Sequence, residues 1–182
     1  MGNRRGAPRA SRRHVVFALA IPALLGAAPA AFARPSPDSC EFKAAKTIAE
    51  LRSALSLRAV EIVNRAAAAK SDTDPRLQHM LTPSATFSLG AGDVGRPLGT
   101  GVPCARALAR LMKADRFRFL GWDYIPTPIE NACAREKVDV EFIDTRNNLV
   151  YPVAFTFDAG RLISAEGWSR SFVTGPVEPI SD

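Results

Sequence analysis

Histidine is almost missing from this chain, which holds only His14 and His79. His14 falls in a segment that reads as a removable leader, so any Ser-His-Asp or Cys-His arrangement must use His79, and multi-histidine metal sites are excluded. His79 sits opposite the apolar side of a short expected helix, which marks a surface residue. Cysteine is scarce too. No two of Cys40, Cys104 and Cys133 stand at a metal-ligand spacing, and three thiols permit three different single bridges with one left over. The glycines from 90 to 101 have no following Gly-Lys-Ser/Thr, so they mark a turning loop and not a phosphate cradle.

A surplus of positive charge is also absent from the mature chain. The formal charge of +6 falls to +1 when the five arginines of the first 33 residues are removed. The 19 basic residues that stay are interspersed with 18 acids, which excludes the clustered cationic face a nucleic-acid partner requires.

What is present begins with that leader. Arg4, Arg5, Arg9, Arg12 and Arg13 precede an apolar run from Val15 to Phe32 that ends in Ala31-Phe32-Ala33, the pattern of a secretory signal with a small-residue cleavage site. Pro22, Gly26 and Pro29 interrupt the run and disfavour a permanent membrane anchor, so contact with a membrane is expected only through the export signal. The stretch SRRHVV resembles a twin-arginine export signal, which implies a bacterial periplasmic or secreted protein cleaved near Ala33. An oxidising compartment allows a disulfide to persist.

The expected organisation is a leader over 1–33, a flexible lead-in over 34–41, one domain over 42–173 and a trailing coil over 174–182. About 149 residues after Ala33 suffice for a single core. Apolar residues recur at helical spacing from Phe42 to Ala69, with a bend allowed near Ser53–Ser56. Asp74-Pro75 opens a short helix ending at Leu81, ATFSL over 85–89 reads as a strand, and Pro103 to Ala114 forms a helix burying Leu108, Leu111 and Met112. From Phe117 onward the period is two, giving four consecutive antiparallel strands with hairpins at Asn147-Asn148 and Ala159-Gly160. Helices followed by a meander of strands define an α+β domain.

This order, carried by RLQHMLTPSATFSLG, GTGVPCARALARL and VAFTFDAGRLISAEGW, resembles the nuclear transport factor 2-like superfamily, which includes SnoaL-like domains. The resemblance implies a cone-shaped, curved antiparallel sheet wrapped around a long N-terminal helix, the cystatin-like arrangement. It further implies an apolar pocket at the open end of the cone and a homodimer through the sheet. Lys137-Val138-Asp139 resembles a catalytic element of limonene epoxide hydrolase, which implies acid-base work by Asp139.

Pairing the strands independently sets Val138 beside Phe155, Val140 beside Val153 and Phe142 beside Tyr151, one bulky face that turns Asp139 outward. Continued through Ala159-Gly160, that register puts Leu162, Glu166 and Trp168 on the bulky face and makes Glu166 the buried carboxylate. A β-bulge near Glu166-Gly167 would reverse the sides beyond it. Asp139 and Glu166 are thus the candidate catalytic residues, and Trp122, Tyr124, Tyr151 and Trp168 the candidate binding surfaces. Arg96 and Arg118 are candidate anion contacts. The expected partner is a small apolar molecule, with no cofactor. Three roles compete: a binding module, a carboxylate-based isomerase, cyclase or epoxide hydrolase, and a structural dimerisation module.

Overall fold

The computed structural model describes residues 40–91, 94–121 and 126–171. The leader, the lead-in up to residue 39, Asp93, Trp122, Tyr124 and the tail over 174–182 lie outside the described residues. Among the described residues no helix is long and apolar enough to cross a membrane.

Helix α1 (Ile48–Ala68) begins where Thr47 accepts a hydrogen bond from the Glu50 amide at 3.2 Å while the Glu50 carboxylate reaches back to the Lys46 amide at 2.8 Å. These reciprocal caps satisfy amides that the first turn leaves open. It runs without interruption through Ser53–Ser56, because Leu51, Leu55, Ala59, Ile62, Val63 and Ala66 keep one apolar face in the core.

Asp74 caps α2 (Pro75–Met80) through the amides of Arg76 and Leu77, both at 3.0 Å. Arg161 closes the other end by donating to the Gln78, His79 and Leu81 carbonyls. Strand β1 (Leu81–Ala91) follows at once, so Pro83 lies inside a strand and α2 ends before it.

Half of the expected glycine loop is ordered structure, since β2 (Pro97–Thr100) folds back antiparallel on β1 before α3 (Gly101–Met112). The remaining strands are β3 (Arg116–Leu120), β4 (Glu136–Asp144), β5 (Leu149–Asp158) and β6 (Arg161–Ser171). They form the expected antiparallel meander, and β1 adds to β6 in parallel. The product is one open, mixed sheet in the order β2-β1-β6-β5-β4-β3. α1 and α3 pack against its apolar face, which makes the fold α+β.

The β4–β5 register matches the sequence reading, with Val138 opposite Phe155, Val140 opposite Val153 and Phe142 opposite Tyr151. Asp144 fixes the turn between the strands by accepting from the amides of Arg146 and Asn147 at 3.1 and 3.2 Å. The bulge in β6 lies elsewhere than expected. Phe157 faces Leu162 whereas Thr156 faces Ser164, so Ile163 is the extra residue. Ala165 and Gly167 consequently join the core face, and Glu166 turns to the exposed one.

Of the three bridges the sequence permits, Cys40–Cys133 is formed, with Cα atoms 5.9 Å apart, and Cys104 is free. The bridge lies beneath the β5–β6 turn, where a Cβ on Gly160 would approach Phe42 to 2.8 Å.

Four carboxylates are held below their ordinary range. The Arg65 guanidinium lowers Asp74, the Thr145 hydroxyl lowers Asp115, the Asn147 amide lowers Asp144, and Arg58 followed by His79 lowers Glu41. A depressed folded value gives stability that is complete above the unfolded value and lost as pH falls through the folded one. Melting temperature measured against pH should therefore be flat near neutrality and drop below about pH 4.

Candidate functional site

Where β1 ends and β5 begins, the sheet and α3 part to leave an open cavity of about 520 Å³. The hairpin between β1 and β2 builds one wall. The Leu89 amide donates to the Arg96 carbonyl at 2.9 Å, and Ala91 bridges Val94, which brings Arg96, Pro97 and Leu98 back along the strand. Gly90 is required there, since a Cβ would stand 2.2 Å from the Val94 carbonyl oxygen. Opposite lie Leu149 and Tyr151 of β5, and the Ser169 hydroxyl ties β6 to β1 by donating to the Gly90 carbonyl at 3.1 Å.

The fourth side is Leu111 of α3, and it corrects an expectation. The buried stripe of α3 is Val102, Ala105, Leu108, Ala109 and Met112, so Leu111 falls beside the stripe and remains 52% exposed. An apolar side chain left that open on a cavity edge is surface available to a ligand.

Leu89, Leu98, Leu111, Leu149 and Pro97 make the lining mostly apolar, and its polar groups are few. Among the described lining residues there is no carboxylate, and Arg96 is the one cation. Tyr151 is buried, and burial, then the charge of Asp144, pushes its phenol above the ordinary range. The group therefore stays protonated at neutral pH and able to donate. The cavity's volume falls within the range of small-molecule sites, and it opens to solvent along one side.

The residues singled out from the sequence do not converge here. Among them only Tyr151 and Arg96 line this cavity. Asp139 is exposed on β4, opposite Ala154 and Leu120, as its outward register required. Together with Lys137 it lines a second cavity of about 370 Å³ between α1 and the β4 edge, where Arg52 pairs with Glu136 at 2.9 Å and Ser56 is buried. Asp139 and Lys137 also border an open groove on the sheet's outer face, which contains Trp168 and Arg170.

Glu166 is exposed beside Ala154 on that outer face, not buried among aromatic rings, because the bulge sits at Ile163. Arg118 is committed to the buried Glu141, which leaves Arg96 as the cation open to a ligand at the apolar cavity. The four leucines were not foreseen as a site, because apolar residues at strand ends are indistinguishable in sequence from core.

No family model matches the chain, and no curated protein matches it. Solved structures similar to it include a protein of unknown function with a cystatin-like fold from Methylobium petroleophilum PM1. That structure is 12% identical, with 70% of this chain and 83% of that one covered at a TM-score of 0.39. NTF2-like proteins of unknown function from Shewanella baltica OS155 and Silicibacter pomeroyi DSS-3 are 9% and 12% identical. Each covers 65% of this chain and 94% of its own at a TM-score of 0.36. At these identities and TM-scores the likenesses carry no family, ligand or activity to this chain. Similarity to limonene epoxide hydrolase is not shown.

Proposed function

We propose that this chain is an exported domain that binds a small, largely apolar molecule between its β1–β2 hairpin, α3 and the start of β5. The observation that carries the reading is the leucine-lined cavity of about 520 Å³, open at Leu111 and furnished with one cation and one phenol. Burial of ligand surface against Leu89, Leu98, Leu111 and Leu149 supplies the affinity, at roughly 25 cal/mol per Å² removed from water. Arg96 and Tyr151 orient the polar end. The leader-like pattern over 1–33 supports export, which would let the domain meet such a molecule outside the cytoplasm.

Leu111→Glu tests this directly. Leu111 is half out of the core, so the change should alter stability by less than about 0.5 kcal/mol. It should nonetheless abolish retention of an apolar ligand in native mass spectrometry of protein purified from the periplasm. Retention of the same mass by Leu111→Glu would place the ligand elsewhere.

Binding without turnover fits the distribution of carboxylates, because Asp139 and Glu166 both lie away from this cavity. The paired substitution Asp139→Asn and Glu166→Gln is accordingly expected to leave ligand retention unchanged and the folding free energy within about 0.5 kcal/mol. Loss of retention in a correctly folded double variant would move the site to the β4 edge or the outer groove.

A further inference from the structure

The polar side of the apolar cavity carries one sign of charge. Arg96 is exposed at its edge, its backbone is pinned to Leu89 by the 2.9 Å hydrogen bond, and no carboxylate among the described residues pairs with its guanidinium. Arg52, Arg58, Arg65, Arg76, Arg106, Arg118 and Arg135 each have an ion-pair partner, and Arg161 is engaged by three carbonyls. A guanidinium presents a planar fork of donors that matches a carboxylate. The second donor is Tyr151, on the facing wall. Ser169 is already spent on the Gly90 carbonyl. Among the described lining side chains the one charged group is therefore a cation, and none is an acid.

We propose, resting on the small-molecule reading above, that the ligand is an apolar carboxylic acid. Its carboxylate pairs with Arg96, and its hydrocarbon portion lies along Leu89, Leu98, Leu111 and Leu149. A neutral alcohol of the same chain length gains the tail contacts and misses the ion pair. A cationic amphiphile meets Arg96 with like charge and no acid to offset it.

The test is competition of decanoate and 1-decanol, each below its aggregation limit, against a fluorescent apolar probe on the intact mature protein. The wild type should bind decanoate about tenfold more tightly than 1-decanol at low salt, the increment of one charge-assisted hydrogen-bonded pair, and the ratio should shrink as salt rises. Arg96→Gln should bring the ratio close to one. Arg110→Gln, the same loss of charge on the exposed side of α3, should keep it. Equal binding of the two probes by the wild type, or a ratio that survives Arg96→Gln, overturns the assignment of the acid while sustaining the apolar site. Failure of both probes to bind overturns the site itself.

Discussion

Replacing Cys40 and Cys133 together by serine is expected to cost about 3–5 kcal/mol of folding free energy and to lower the melting temperature by roughly 8–15 °C. The bridge spans 93 residues and therefore closes most of the domain into one loop, whose entropy the reduced unfolded chain regains. It also anchors the segment before α1 to the connection between β3 and β4. Cys133 in turn accepts from the Ala159 amide at 3.1 Å, so the β5–β6 turn is held by the same point. The check is thermal and urea unfolding of the oxidised wild type, the reduced wild type and the double serine variant, with the last two expected to coincide. An unchanged urea midpoint on reduction would show that the bridge is incidental to the fold. Oxidising conditions are then required for full stability.

Gly90→Ala should destabilise the domain by about 1–3 kcal/mol and remove ligand binding with it. The added methyl would stand 2.2 Å from the Val94 carbonyl oxygen and 2.8 Å from the Gly95 Cα, both backbone atoms that no rotamer change can move. Relief requires the β1–β2 hairpin to open, which carries Arg96 and Leu98 away from Leu89 and Leu149. Stability and binding should consequently fall together, unlike Leu111→Glu, where binding falls alone. Chemical denaturation paired with probe titration separates the two cases. A Gly90→Ala protein with wild-type affinity would mean that the hairpin is not a wall of the site.

Particular residues show how far the sequence could be read. The register of β4 on β5 was legible because Asn147-Asn148 has room for only one tight turn and Val138, Val140 and Phe142 find bulky partners in only one alignment. The register of β6 was not legible beyond Leu162. RLISAEGW keeps an apolar residue every second or third place, so an extra residue at Ile163 and one at Glu166-Gly167 satisfy the pattern equally. In the fold residue 167 faces the core, where a Cβ would lie 3.0 Å from side-chain methyls of both Leu89 and Val153, a tight fit that favours glycine.

The same ambiguity hid the site. Leu111 belongs by composition to the buried stripe of α3 and leaves it only by its position around the helix, while Leu89 and Leu149 read as ordinary strand residues. Strand β2 was lost among glycines, because PLGT has no periodicity to announce it. Arg96 could be named as an anion contact but not distinguished from Arg118 until the partner of Arg118, the buried Glu141, was in view.

The most direct measurement is methyl NMR of leucine-labelled and valine-labelled mature protein titrated with 1-decanol, a probe that carries no charge to steer it. Binding in the apolar cavity predicts shifts at Leu89, Leu98, Leu111 and Leu149, with Leu120 and Val138 at the β4 edge unmoved. Shifts confined to Leu120 and Val138, or none at any methyl, would contradict it.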